Sequence, residues 1–173
     1  MGYGTQRAED ELAHLCPTAR IERMDADTTT SKGSYFDILN RFRRHEFDIL
    51  IGTQMVTKGH DFPDVTLSGV TNADASLFLD DYRSNEHTFS LIAQVLGRAG
   101  RADKPGRAVI QTYNPDHPVI RQAAAQDYPA FYENEIRLRR TLLFPPFCDI
   151  ALITLVSDDE QVAVTAAAAL DSF

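Results

Sequence analysis

Two arginines at a glycine-rich helix end carry the clearest chemical signal in the sequence. The segment 94–101, QVLGRAGR, has the form QxxGRxGR and ends an apolar stretch at helical spacing. Guanidinium groups bind phosphate through a planar, permanently charged fork of donors. The glycines within the segment would let a phosphate-sized partner approach the backbone. The pattern indicates that Arg98 and Arg101 bind one phosphate-bearing partner, and a solvated helix cap is the alternative interpretation.

A polar loop directly after a buried strand is the second candidate. Residues 48–52, DILIG, are almost wholly apolar, as in a central parallel strand, and the loop TQMVTKGHDFPD follows them. Ligands bind at the carboxyl ends of parallel strands in α/β folds. The groups available to a ligand are the side chains of Thr53, Gln54, Thr57, Lys58 and Asp61 and the backbone N–H groups near Gly59. A plain βα connection is the alternative.

Two weaker candidates follow other strands. In RMDADTT, at 23–29, threonines such as Thr28 could contact a DNA phosphate, although a capping loop of Thr and Ser explains the pattern at least as well. In NADA, at 72–75, Asp74 could serve a site at a strand end or could cap the next segment.

Alternating periodicities predict the elements that position these loops. We expect strands at 19–25, 48–52, 65–71, 108–113 and 149–156, and helices at 6–15, 34–45, 88–96, 117–126, 129–143 and 159–173. In the second helix, Phe36, Leu39 and Phe42 should share the buried face. The order predicts an α/β fold with a mostly parallel sheet flanked by helices.

Changes in character along the chain predict three regions. Residues 1–115 should form the α/β lobe, and residues 116–147 a helical extension and linker that ends in Phe-Pro-Pro-Phe. Residues 148–173 should be the truncated β–α beginning of a following domain. Whether the arginines of the extension, Arg137, Arg139 and Arg140, bind DNA is left open by the sequence.

Composition limits the functional classes. The 173 residues are 43% hydrophobic and 24% charged, which suits a globular fold, and no apolar run approaches the roughly 20 residues that span a bilayer. Cys16 and Cys148 form no metal-binding pair, so we expect no metal site within the chain. The net charge of −8 argues against tight DNA binding by this chain alone, although a local positive strip could still contact DNA.

Taken together, these motifs resemble those of bacterial superfamily 2 DNA helicases of the primosomal replication-restart type. QVLGRAGR resembles helicase motif VI, and GTQMVTKGHDFPDVTL resembles motif V in the KGHDFP form of that family. Residues 2–6, GYGTQ, are similar to the GxGTE start of its second RecA-like lobe, with Gln6 in place of the usual Glu. RMDADTT, the segment 72–94 and FPPF also fit, so the resemblance covers essentially the whole chain.

The resemblance implies the second RecA-like motor lobe of an ATP-dependent 3′-to-5′ DNA helicase that restarts replication at stalled forks. Arg98 and Arg101 would be catalytic arginine fingers facing ATP and Mg²⁺ held mainly by a first lobe. The implied nucleotide-binding residues are Gly59, Asp61, Gln94, Arg98 and Arg101, and the implied DNA-binding residues are Thr28, Thr53, Gln54, Thr57 and Lys58.

The resemblance also sets expectations about partners. It implies forked or single-stranded DNA, the first lobe, primosome proteins and single-stranded-DNA-binding protein in the bacterial cytoplasm, with zinc only in the full-length protein. The chain contains no GxxxxGK[ST] loop, so we expect it to hydrolyse ATP negligibly by itself. The competing interpretations are a non-catalytic binding module and another superfamily 2 translocase, such as a fork-reversal or transcription-coupled repair helicase.

Overall fold

The structure is a computed structural model that describes residues 4–29, 33–53, 56, 62–97 and 106–171. The chain divides into two compact units, 1–133 and 134–173. The unit boundary falls within one helix. The predicted regions, with boundaries after residues 115 and 147, stay a prediction.

Helices and strands are interspersed through the first unit, as the periodicities predict. Its elements are α1 (Thr5–Leu15), β1 (Ile21–Met24), α2 (Ser34–Arg43), β2 (Ile49–Gly52), β3 (Leu67–Val70), α3 (Asp74–Leu77), α4 (Ser84–Leu96), β4 (Arg107–Ile110) and α5 (Pro118–Ala124). Helix α6 (Tyr128–Leu142) contains the unit boundary, and α7 (Glu160–Asp171) belongs to the second unit. Proline at the start of α5 suits a helix because the first turn has no use for its missing N–H.

The described strands form two parallel pairs. Strand β1 pairs with β2, so that Met24 lies opposite Gly52, and β3 pairs with β4, so that Val70 lies opposite Ile110. Parallel neighbours end at the same edge, which brings the loops after β1 and β2 together and likewise the loops after β3 and β4. The predicted α/β class with parallel strands and flanking helices is confirmed.

One core cluster of the first unit holds α4 in place. Phe89 and Ile92 of α4 are buried, and the Phe89 ring stacks on Phe131 with 4.3 Å between centroids. Buried residues of α5, among them Val119 and Ala123, complete the contact. Helix α4, which carries the start of the QxxGRxGR segment, is therefore fixed by side chains on its inner face.

A second cluster places α2 and corrects one prediction. Ile38 and Leu39 are buried in it beside Met24. Phe36 was expected on the same face but is 63% exposed. The buried face contains residues 35, 38, 39 and 42, the spacing of a 3.6-residue period, and Phe36 lies off it.

The predicted strand at 149–156 is wrong. Residues 149–157 carry neither helix nor strand, and Leu152 and Val156 are 89% and 91% exposed. A strand exists only when a second strand pairs with its backbone, and the described part of the second unit contains none. The short helix α3 was not predicted, because one helical turn leaves no periodic signal.

In the second unit, two of the clustered arginines are engaged internally. Arg139 Nε donates to Glu135 Oε1 at 2.9 Å, and Arg140 lies over the Phe147 ring at 5.0 Å. Arg137 is exposed.

The described helices include none with the length and apolar character needed to cross a bilayer.

Candidate functional site

The structure describes three of the predicted site residues, and the others lie outside the described ranges. The residues that lie outside the described ranges are Gln54, Thr57, Lys58, Gly59, Asp61, Arg98 and Arg101. Thr28, Thr53 and Gln94 lie within them. The structure thus describes the helix and the strand that precede the two motifs, and the roles of the motif residues themselves stay predictions.

Helix α4 presents the start of the arginine motif to solvent. Thr88, Phe89 and Ile92 are buried, whereas Gln94 is exposed near the end of the helix. The helix ends at Leu96, and the Gly97 N–H donates to the Ala93 carbonyl at 3.0 Å. Because the inner face of α4 is buried in the core, the last turn of the helix is held in place.

A buried threonine strengthens the anchoring of α4. Thr88 is completely buried, and its hydroxyl bonds to the Ser84 carbonyl at 2.8 Å and to Ser76 Oγ at 3.0 Å. Ser76 belongs to α3, the short helix that sequence periodicity missed. The two hydrogen bonds satisfy a polar group that would be costly to bury alone.

The loops that contain Thr28 and Thr53 leave the same sheet edge. Because β1 and β2 run parallel with Met24 opposite Gly52, the residues after them emerge side by side. Thr53 is exposed, and its carbonyl accepts from the Val56 N–H at 3.1 Å. The structure therefore brings together two of the predicted DNA-contacting segments.

Gly52 leaves no space for a side chain at this edge. A Cβ atom built on Gly52 would lie 2.2 Å from Val56 Cγ2 and 2.4 Å from the Met24 carbonyl oxygen. Both distances are far below a normal contact, and the carbonyl belongs to the paired strand. Close backbone packing thus fixes where the loop after β2 begins.

The Thr28 hydroxyl is engaged within its own turn. Its Oγ1 accepts from the Asp25 N–H at 3.0 Å and lies 3.3 Å from the Asp25 carbonyl. This is the turn-forming arrangement that the sequence offered as the alternative to a DNA contact. A direct role of Thr28 in binding DNA stays a prediction.

The sequence interpretation missed Asp25 as the organiser of this turn. Asp25 is 6% exposed, and its Oδ1 accepts from the N–H groups of Asp27 and Thr28, each at 3.1 Å. Its Oδ2 accepts from the Thr5 hydroxyl at 2.5 Å. The hydrogen bond from Thr5 lowers the pKa of the Asp25 carboxyl below its ordinary value, and the backbone N–H groups of Thr28 and Asp27 add to this effect. An Asp after a strand with Thr three residues later is the local signal that could have identified it.

Asp74 has a structural role at the edge of the other strand pair. It is 8% exposed, and its carboxylate accepts from the Tyr113 N–H at 2.9 Å and from Asn114 Nδ2 at 2.7 Å. The bond from the Asn114 side chain is the main reason that the pKa of Asp74 is lowered. The carboxylate links the start of α3 to the loop after β4.

Arginines around the first strand pair are neutralised by carboxylates. Arg20 makes a two-pronged contact with Asp48, at 3.1 and 2.8 Å. Arg41 lies 3.0 Å from a carboxylate oxygen of Glu22 and 3.2 Å from one of Glu46. Since these guanidiniums already have partners, the predicted phosphate contact continues to rest on Arg98 and Arg101.

Comparison with known proteins defines the class. Residues 4–103 match the helicase conserved C-terminal domain family. The match covers more than half of the 173 residues, and the chain belongs to this family. Its parallel strand pairs, flanking helices and paired strand-end loops agree with that assignment.

Similarity to individual proteins is more specific. The chain is 50% identical to replication restart protein PriA of Bacillus subtilis over 167 residues, 95% of this chain and 21% of that protein. PriA of Chlamydia trachomatis is 47% identical over 146 residues, 84% of this chain and 19% of that protein. PriA of Synechocystis sp. is 42% identical over 160 residues, 92% of this chain and 19% of that protein. The resemblance to the replication-restart helicases is confirmed, and the chain spans about a fifth of the length of these curated relatives.

Proposed function

We propose that the chain is the second motor lobe of an ATP-dependent 3′-to-5′ DNA helicase that acts in replication restart. The observation that carries the proposal is the position of Gln94, the first residue of the QxxGRxGR sequence motif, which is exposed on the last turn of core-anchored α4. The similarity to PriA proteins over most of the chain supports the same function.

Arg98 and Arg101 are the proposed arginine fingers. They would contact the γ-phosphate of ATP held mainly by a first lobe and neutralise negative charge that grows as the phosphoryl group transfers. Gln94, four residues before Arg98 in the sequence, would contribute its amide to the same nucleotide. An exposed Gln94 on the last described turn fits this role because its side chain points away from the buried face.

The loop after β2 is the proposed coupling element. Thr53, Gln54, Thr57 and Lys58 would contact the DNA backbone, with Thr28 on the neighbouring loop, whereas Gly59 and Asp61 would face the nucleotide. Both loops leave one sheet edge, and Gly52 fixes the start of the second. A loop that touches both ligands can transmit a change in one contact to the other.

The chain should be inactive as an ATPase by itself. The sequence contains no phosphate-binding GxxxxGK[ST] loop, so ATP and Mg²⁺ would be held mainly by the first lobe. The proposed partners are forked or single-stranded DNA, that lobe, primosome proteins and single-stranded-DNA-binding protein, all in the bacterial cytoplasm. Zinc is proposed only for the full-length protein.

The test is substitution of the two fingers in the protein that joins this lobe to its ATP-binding lobe. Arg98→Ala or Arg101→Ala should lower kcat for DNA-stimulated ATP hydrolysis by roughly 10³-fold or more, the value of an arginine finger in related enzymes. The melting temperature should stay close to that of the wild type. Arg121→Ala, which removes an exposed arginine of α5, is the matched control and should keep its turnover.

The outcomes separate the interpretations. An unchanged kcat in both finger variants would remove the arginine-finger assignment. Measurable ATP turnover by the isolated chain that Arg101→Ala abolishes would contradict the proposed dependence on a first lobe.

A further inference from the structure

Asp25 is a buried charged group that the proposed machinery does not use. The residue is 6% exposed, yet it belongs neither to the proposed arginine fingers nor to the proposed coupling loop. Buried carboxylates are stable only when donors surround them, and each donor that Asp25 recruits is thereby fixed in place.

The two oxygens of Asp25 hold different segments. Oδ1 accepts from the N–H groups of Asp27 and Thr28, each at 3.1 Å, and so closes the turn after β1. Oδ2 accepts from the hydroxyl of Thr5 at 2.5 Å and lies 3.3 Å from Arg23 Nε. One carboxylate therefore ties the first residue of α1 to the turn that carries Thr28.

Backbone contacts of the same residue tighten the turn. The Asp25 carbonyl accepts from the hydroxyl of Thr29 at 2.5 Å and from its N–H at 3.0 Å. Arg23 adds a link to α1, since its Nε lies 3.7 Å from Glu9 Oε2. Residues 25–29 are thus held by both side-chain and backbone bonds.

The turn lies beside the start of the proposed coupling loop. Met24 and Gly52 are opposite each other in the parallel pair, so Asp25 and Thr53 are the residues that leave the sheet there. The absence of space for a Cβ at Gly52, which would lie 2.4 Å from the Met24 carbonyl oxygen, shows that the two backbones approach closely there. A displacement of the Asp25 turn would therefore change the surface next to Thr53.

We propose that Asp25 is a positioning residue for DNA: with Thr5 it fixes the Thr28 turn next to Thr53, so that this edge is ordered before DNA binds. A preordered surface binds more tightly because less conformational freedom is lost on binding. The inference rests on the proposed function, since it needs DNA at this edge. The Thr5 hydroxyl also keeps the pKa of Asp25 low, which maintains the carboxylate as an acceptor.

The experiment measures DNA-stimulated ATP hydrolysis by the protein that contains this lobe and its ATP-binding lobe, titrated with a single-stranded oligothymidylate. Asp25→Ala should raise the half-saturating DNA concentration about two- to tenfold, as expected when one or two side chains must be ordered on binding. The kcat at saturating DNA should change less than twofold. A purely structural role would instead lower kcat by reducing the active fraction and leave the half-saturating concentration unchanged.

Thr5 provides a second variant with its own rescue. Thr5→Val removes the hydroxyl while keeping the shape of the side chain and should shift the DNA concentration in the same direction by a smaller factor. Thr5→Ser keeps the hydroxyl and should behave as the wild type. If Asp25→Ala does not fold, a difference between Thr5→Val and Thr5→Ser supports the proposal and equality overturns it.

Asp48→Asn is the matched control. Asp48 also pairs with an arginine, but it precedes β2 and so lies at the opposite edge of the same strand pair. It should leave the half-saturating DNA concentration unchanged. An Asp25→Ala protein that folds and binds DNA as the wild type does, while Arg98→Ala abolishes turnover, would overturn the positioning role alone. An unchanged kcat in both Arg98→Ala and Arg101→Ala would overturn the proposed arginine-finger role instead.

Discussion

Substituting Gly52 by alanine tests how tightly the loop after β2 is fixed. The added Cβ would lie 2.2 Å from Val56 Cγ2 and 2.4 Å from the Met24 carbonyl oxygen. The valine methyl can rotate away. The Met24 carbonyl cannot move as easily, because Met24 belongs to a paired strand and its side chain is completely buried. Relief of the second contact therefore requires β1 and β2 to separate.

The expected destabilisation follows from that overlap. Overpacking a well-filled site costs about 1–3 kcal/mol, and a clash with backbone should place this substitution in the upper half of that range. With a urea m-value of about 2 kcal/mol per M, the unfolding midpoint should fall by roughly 0.5–1.5 M once the lower entropy of the unfolded alanine variant is counted. Alanine also lowers the entropy of the unfolded chain, which offsets less than about 1 kcal/mol.

Gly69 provides a matched control in the other strand pair. A Cβ on Gly69 would have the Val109 carbonyl oxygen as its nearest neighbour, at 4.0 Å. Gly69→Ala should therefore be neutral or slightly stabilising. Urea unfolding of the chain, followed by far-ultraviolet circular dichroism, measures both variants. The reasoning is refuted if Gly52→Ala unfolds at the wild-type midpoint, or if Gly69→Ala is destabilised as much.

Two further predictions concern carboxylates. Asp74→Ala leaves the Tyr113 N–H and the Asn114 side-chain amide, which form half-buried hydrogen bonds to the carboxylate, without their acceptor and should cost about 1–3 kcal/mol in urea unfolding. Asp74→Asn should cost less, and equal losses would contradict the hydrogen-bond explanation. The exposed Asp48 has its pKa lowered from 3.8 to about 2 by the hydrogen bonds from Arg20, so the pair stabilises the fold above about pH 4 and loses this effect as the pH falls towards 2. The melting temperatures of wild type and Asp48→Asn should therefore converge between pH 7 and pH 2.5, and a constant difference would show that ionisation of Asp48 is not responsible.

Periodicity was sufficient for most elements of the fold. The predicted strand at 48–52 is found as Ile49–Gly52, and the predicted helix at 129–143 is found as Tyr128–Leu142. These elements are short-range patterns of apolar and polar residues, so they can be read without knowing what packs against them. The parallel arrangement followed from the alternation of strands and helices.

The errors arise where a neighbour decides the outcome. The apolar run at 149–156 has the composition of a strand, but the described second unit offers no strand to pair with it. Phe36 is apolar and lies in a helix, yet the core contacts Ile38 and Leu39 and leaves Phe36 exposed. In both cases the sequence shows that the residues are hydrophobic, but it does not show which strand or core would pack against them.

The sequence by itself determined the family, the parallel α/β order and the two loops proposed to carry the chemistry, because these depend on local pattern and motif spacing. Only the tertiary structure revealed the bond between Thr5 and Asp25, 20 residues apart, and those of Asp74 to residues 39 and 40 positions later. It also showed that a side chain at Gly52 would overlap a neighbouring strand. Such contacts join distant parts of the chain, and no local pattern specifies which distant donor a carboxylate will meet.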